Sequence, residues 1–176
     1  MVSIAIYTSL SLGAKVWKRS QSALIEQDLA LFFDRMTHDL HRTFYFASLP
    51  PEGGMHHFSF PSVVEVVPDK RRKDMPPGYT DEIGKVEYRY DSFRKTIVRK
   101  QARYASAVNG QFDTTRILAG PVESFQLRYI YLVESGEETS DTVLQTMPAS
   151  VEIRVEFSDS YGRREITKFV DIPLSM

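Results

Sequence analysis

Cysteine is absent from this chain of 176 residues. Its absence excludes disulfide bonds, thiolate nucleophiles and cysteine-ligated metal sites. An excess of one charge is missing too, since 22 lysines and arginines stand against 23 aspartates and glutamates. The net charge of −1 gives no electrostatic reason to expect a nucleic acid or an anionic membrane surface as a partner. With 42% hydrophobic residues, the composition predicts one ordinary globular core.

Short catalytic motifs are also missing. The sequence contains no phosphate-binding glycine loop, no Gly-x-Ser-x-Gly elbow and no His-Glu-x-x-His pair. Many enzymes lack such motifs, so their absence alone does not decide the function.

Proline is absent from about Ser3 to Ala47, and the only glycine in that stretch is Gly13. This predicts one continuous helix of roughly 65 Å that ends between Ala47 and Leu49, before Pro50 and Pro51. The rest of the chain would fold into a globule only about 35 Å across. The first part of the helix should therefore project, which divides the chain into a projecting segment at 1–24 and a globular domain at 25–176.

Two apolar stripes run along the predicted helix, at a rotation of ~100° per residue. The stripe expected to dock the helix on its own domain consists of Ile25, Leu29, Phe32, Met36 and Leu40. The stripe expected to meet a partner helix, with a spacing of seven from Leu10 onward, consists of Ile6, Leu10, Trp17, Leu24 and Leu31. In the alternative, both stripes pack inside one core, but a domain this small offers too little surface for that.

The opening segment is apolar for about 16 residues, interrupted by serine and threonine, and ends in Lys15, Lys18 and Arg19. It is shorter than the ~20 apolar residues that cross a bilayer, and it lacks the basic start and cleavage site of a secretory signal. It resembles the second half of a membrane helix. Trp17 lies where exposed aromatic residues usually mark an interface with protein or with lipid headgroups.

After the helix the apolar period changes from that of a helix to that of a strand. Alternation is clearest at Val151 to Phe157, where one face is apolar and the other charged, and Ile166 to Ile172 is a natural hairpin partner. Further strands are predicted at His57 to Phe60, Val63 to Val67, Val86 to Tyr90, Phe93 to Arg99 and Val122 to Val133. Ile130 and Leu132 suggest that the last of these is covered on both faces. The predicted class is α+β: a pilin-like fold with a long N-terminal helix packed on antiparallel sheet.

Two segments are predicted to be loops, and four clusters could bind a ligand. The basic run Lys70 to Lys73 lies in the predicted loop Pro68 to Tyr79, where a solvated loop is favoured over nucleic-acid binding. The metal candidates are Asp34 with His38 and His41, adjacent His56 and His57, and the acidic loop Glu134 to Asp141. Asp34 and His38 are better explained as a local pair on the helix surface. Adjacent His56 and His57 point to opposite faces of a strand, and the acidic residues lack the spacing of a calcium-binding loop. We predict no metal and no cofactor.

The order of these features resembles the J class of minor pseudopilins of type II secretion systems (GspJ or PulJ type), within the type IV pilin-like superfamily. The resemblance rests on IAIYTSLSLGAKVWKRS followed by LFFDRMTHDLHRTF, on GPVESFQLRYIYL, and on MPASVEIRVEF followed by a charged turn and ITKFVDIP. The leader, the cleavage site and the first half of the membrane helix that this family carries are absent before Met1.

The resemblance implies a non-enzymatic assembly subunit at the tip of the pseudopilus. It implies anchorage in the bacterial inner membrane through the missing half of the helix, with the globular domain in the periplasm. Other minor pseudopilins, of the I, K and H classes, would bind through the N-terminal helix, and secreted cargo is a further candidate partner. Two alternatives stay open: a minor pilin of a type IV pilus or competence system, and a soluble α+β ligand-binding domain or enzyme.

Overall fold

A computed structural model describes residues 23–66, 80–144, 146–159 and 162–173. Two helices occur among them: α1, described over 23–41, and α2, Tyr104–Val108. The strands are β1 Glu52–Gly54, β2 His57–Val66, β3 Thr80–Asp91, β4 Thr96–Arg103, β5 Thr114–Ala119, β6 Ser124–Val133, β7 Gly136–Ser140, β8 Ser150–Asp159 and β9 Gly162–Asp171.

The strands form two antiparallel sheets. One has five strands in the order β1-β2-β3-β4-β5, and the other has four in the order β7-β6-β8-β9. The tip of the β1–β2 hairpin joins them, because the amide of Leu127 donates to the carbonyl of Met55 at 2.8 Å and the Nδ1 of His56 donates to the carbonyl of Phe125 at 2.8 Å. Tyr129 adds a bond from its hydroxyl to the carbonyl of Gly54 at 2.9 Å.

The core lies where α1 and the inner faces of both sheets meet. The ring of Phe32 on α1 lies 6.1 Å from Tyr88 on β3 and 5.8 Å from Phe125 on β6, so a single helix side chain contacts both sheets. The inner face of β8 is apolar throughout, since Val151, Ile153, Val155 and Phe157 are all buried. The predicted strand faces of β8 and its hairpin with β9 are confirmed.

The predicted fold class is wrong in its main element. Strand accounts for 55% of the described residues and helix for 18%, so the part of the chain that the structure describes is mostly antiparallel sheet and is not a long helix packed on sheets. The helix also ends at residue 41, earlier than predicted. Residues 42 and 43 leave it to meet the edge of β2, where Val63 donates to the carbonyl of Arg42 at 3.4 Å and Thr43 pairs with Ser62. Beyond them, Phe44 to Phe46 are aromatic residues of modest helix propensity.

Three predictions about the strands also need correction. The predicted acidic loop is a β-hairpin, because Gly136 to Ser140 form β7 against β6. Strands β1 and β5 were not predicted, and β4 begins at Thr96 because the preceding residues form a turn in which Asp91 caps the amides of Phe93 and Arg94. The outer face of β6 is not covered along its length, since Leu132 is 71% exposed. The predicted loop Pro68 to Tyr79 lies outside the described residues.

Candidate functional site

Helix α1 has one buried face that joins the domain core. Leu29, Phe32, Met36 and Leu40 are fully buried, and Ile25 is partly buried against them. A spacing of three and four residues places these side chains on one side of the helix. The structure thus places all five residues of the predicted docking stripe at this face.

The opposite face of α1 is exposed and contains large apolar residues. Leu24 is 57% exposed and Leu31 is 60% exposed, and Ala23, Gln27 and Ala30 beside them are exposed as well. Leu24 and Leu31 lie seven positions apart, so both project from the same side of the helix. We call Leu24 and Leu31 the α1 stripe. The other three residues of the predicted partner stripe, Ile6, Leu10 and Trp17, lie outside the described residues, and the role of the set in binding a partner remains a prediction.

A buried ion pair fixes the second half of α1 to the five-stranded sheet. The carboxylate of Asp39 accepts from Nε of Arg99 at 2.6 Å and from Nη2 at 3.2 Å, and the hydroxyl of Tyr88 donates to it at 2.6 Å. Nη1 of Arg99 donates to the side chain of Gln101 at 2.6 Å. Asp39 and Arg99 are both buried, so the charge of Arg99 depends on Asp39 for compensation, whereas Asp39 also has Arg35 at 3.4 Å.

The electrostatics of this cluster follow from burial and from the Asp39 charge. Burial raises the pKa of Tyr88 well above its ordinary value, and the nearby Asp39 carboxylate raises it further, so the phenol stays protonated and donates. Burial alone would lower the pKa of Arg99, but the hydrogen bonds and the charge of Asp39 outweigh it and raise that pKa. The three groups therefore satisfy one another inside the protein.

Sequence reasoning missed this cluster, although two signals were present. Asp39 lies on the buried arc of the helix, between Met36 and Leu40, where a carboxylate is costly unless it is paired. Arg99 shares the inner face of β4 with buried Ile97. A charged residue on each of two otherwise apolar faces indicates a buried pair, but it does not tell which two residues meet.

The first half of the described helix is held by surface charges on β9. Arg164 pairs with both Glu26 on α1 and Asp159 at the end of β8. The Nζ of Lys168 lies 5.8 Å from the ring centre of Phe33. Exposed pairs of this kind contribute little stability singly.

The candidate metal ligands are not brought together by the structure. Asp34, His38 and His41 are exposed on α1, and His38 lies 3.4 Å from a guanidinium nitrogen of Arg42. His56 binds the carbonyl of Phe125, whereas the pKa of His57 is lowered by burial and then by the charge of Arg89. Within the described ranges, no three histidine, aspartate or glutamate side chains are placed to hold a metal ion.

The acidic residues of the β6–β7 hairpin are exposed. These acidic residues are Glu134, Glu137, Glu138 and Asp141. Asp141 pairs with Arg128 at 3.5 Å.

The basic run Lys70 to Lys73 lies outside the described residues. Across the part of the chain that the structure covers, no helix is both long enough and apolar enough to span a bilayer.

Comparisons with known proteins give structural similarity but no match in sequence. The sequence matches no protein-family model and no curated protein. The structure is similar to a chain in the crystal structure of the GspK-GspI-GspJ complex from the enterotoxigenic Escherichia coli type 2 secretion system, with 17% sequence identity and a TM-score of 0.48. The alignment covers 85% of this chain and 99% of that chain. A similarity this low leaves the function to be inferred from the surfaces of the chain itself.

Proposed function

We propose that this chain is a non-enzymatic assembly subunit, a J-class minor pseudopilin of a type II secretion system. In this role it is anchored in the bacterial inner membrane, holds its β-rich domain in the periplasm, and joins the I, K and H classes through the helix that includes α1. The observation that carries the proposal is the α1 stripe. Its two exposed leucines lie seven residues apart on a helix whose opposite face is buried.

Burial of the α1 stripe in a partner would be favourable. Each leucine leaves more than half of its surface in water, and apolar surface gains roughly 25 cal/mol per Å² when it is buried. A partner helix can pack against apolar residues at this spacing by inserting its own side chains between them. In the sequence the same spacing continues backward through Trp17 and Leu10.

The way α1 is held supports a role in presenting this surface. The buried pair between Asp39 and Arg99 fixes the second half of the described helix, and the exposed pair between Glu26 and Arg164 lies at the first half. A surface that is rigid before binding loses less conformational entropy on association. The polar groups of the buried cluster satisfy one another, so they serve as structural anchors and are not free to act on a substrate.

The test compares two aspartate substitutions of exposed apolar residues. Leu24→Asp places a charge in the α1 stripe, and Phe93→Asp places one in the β3–β4 turn, where Phe93 is 94% exposed. Both variants of the full-length protein, which includes any residues that precede this chain, are expected to melt close to the wild type. Only Leu24→Asp should weaken co-purification with the I-class minor pseudopilin of the same organism, because only it charges the predicted helix–helix contact.

Phe32→Asp serves as the destabilising control, because that ring is fully buried between the two sheets. It should abolish cooperative melting. Equal melting losses in Leu24→Asp and Phe32→Asp would show that Leu24 belongs to the core and would contradict the proposal. Unchanged co-purification of Leu24→Asp would contradict it as well.

A further inference from the structure

A cleft of about 150 Å³ opens between α1 and strand β5, and three arginines line it. They come from three elements: Arg35 from α1, Arg99 from β4 and Arg116 from β5. Glu65, Gln101 and Leu118 complete the lining. The cleft lies beside the Asp39 cluster described above, but it faces solvent.

The positive charge in the cleft is only partly compensated. Asp39 lies behind it and pairs with Arg99 at 2.6 Å and with Arg35 at 3.4 Å. Glu65 lies 3.7 Å from Arg42, which is held more closely by Asp81 at 2.7 Å. Among the described residues, no side chain forms an ion pair or a hydrogen bond with the guanidinium of Arg116. Within the described ranges, one cation of the three is therefore left without a partner.

The register of the sheet places Arg116 at an electrostatically unfavourable position. Arg116 on β5 is the register partner of Arg99 on β4, so two positively charged residues occupy directly opposed positions on neighbouring strands. Like charges at directly opposed positions destabilise a sheet. The repulsion is reduced when an anion binds beside Arg116, and a carboxylate suits a guanidinium group because it can accept two parallel hydrogen bonds.

The edge of β5 indicates what kind of molecule carries that anion. Within the described ranges β5 pairs only with β4, so its other edge has no strand beside it. Residues 114–117 are exposed, including Ile117. An extended peptide that pairs with such an edge places every second side chain on the face that Arg116 occupies. An acidic residue at the paired position would enter the cleft.

We propose that this cleft binds an acidic extended segment of a partner protein, which adds as a strand to the free edge of β5 and places a carboxylate between Arg35 and Arg116. This surface is distinct from Leu24 in the α1 stripe, and the inference goes beyond the proposed function. The two can fail separately, because the assay below requires no other pseudopilin.

The probe is a synthetic peptide of alternating threonine and glutamate with blocked ends, and its control is the same peptide with glutamine in place of glutamate. The titration follows the arginine Nε–Hε signals and the backbone amides of the protein by nuclear magnetic resonance. The glutamate peptide is expected to shift the signals of Arg35 and Arg116 and to slow hydrogen exchange at the amides of β5. The glutamine peptide should bind about tenfold more weakly or not at all, since its amides lack the charge.

Arg116→Gln tests the site, with Arg94→Gln as the matched control. Both remove one exposed positive charge, but Arg94 lies in the β3–β4 turn, outside the cleft. Arg116→Gln should weaken the glutamate peptide about tenfold without lowering the melting temperature, because it removes a like-charge pair. Arg94→Gln and Leu24→Asp should leave binding unchanged.

Several results would overturn the inference. They are equal binding of the two peptides, equal loss in Arg94→Gln and Arg116→Gln, and no binding at millimolar peptide. Shifts of the arginine signals with inorganic phosphate but not with peptide would reassign the cleft to small anions. Binding that leaves hydrogen exchange of the β5 amides unchanged would rule out strand addition.

Discussion

The two faces of α1 contain the same kind of residue in opposite environments. Leu29 is fully buried in the core, whereas Leu31, two positions later, is 60% exposed. Two positions are about 200° of rotation on a helix, so no difference in residue type is needed to separate them. The anchoring of the helix sets the direction in which each side chain faces, and that direction decides whether a leucine stabilises this domain or remains available to a partner.

The largest effect is expected from breaking the anchor. Asp39→Asn removes the charge that compensates buried Arg99, and loss of one partner from a buried ion pair costs about 3 to 5 kcal/mol in the free energy of unfolding. Urea denaturation of wild type and variant would measure it. As a control, Asp34→Asn on the exposed face of the same helix should change that free energy by less than about 0.5 kcal/mol. A loss at Asp39 no larger than at Asp34 would show that the pair does not hold the helix.

The next effect compares the buried and exposed faces of α1 through the same leucine-to-alanine substitution on each. Leu29→Ala should cost about 2 to 5 kcal/mol in the free energy of unfolding, because it removes buried methyl groups and leaves a cavity in the core. Leu31→Ala should change the same quantity by less than about 0.5 kcal/mol, because that side chain is already in water. Chemical denaturation of the two variants makes the comparison directly. Similar losses in both would erase the difference between the faces.

The smallest effect refines the account of the anchor. Tyr88→Phe removes the hydroxyl that donates to Asp39 at 2.6 Å but keeps the ring in the core and leaves the carboxylate bonded to Arg99. The expected loss is about 1.5 to 3 kcal/mol in the free energy of unfolding, because the bond is to a charged carboxylate. Tyr45→Phe, at an exposed position, is the matched control and should have no measurable effect. A loss at Tyr88 as large as that of Asp39→Asn would show that the hydroxyl, and not Arg99, compensates the carboxylate.

Part of the fold could be read from local periodicity. The alternation at Val151 to Phe157 predicted the inner face of β8 because side chains of a strand point to opposite sides in turn. The spacing of Leu29, Phe32, Met36 and Leu40 likewise predicted residues that would share one side of a helix. Both patterns depend only on backbone geometry close along the chain.

Other features escaped prediction because they depend on contacts between distant residues. The helix ends at residue 41 since residues 42 and 43 pair with the edge of β2, although no proline occurs before Pro50. Strand β5 has exposed side chains over its first four residues and so lacks the alternation that reveals a strand. The predicted share of helix is too high because the absence of proline permits a helix without requiring one.

The amino-acid sequence by itself determined which residues could share a face, because the helical and strand periods are fixed by the geometry of the backbone. It also excluded disulfide bonds and cysteine ligands, since the chain has no cysteine. Only the tertiary structure decided that Asp39 meets Arg99, 60 positions later, and that Arg35, Arg99 and Arg116 line one cleft. Such meetings follow from strand order and register, which many contacts distributed over the whole domain select together.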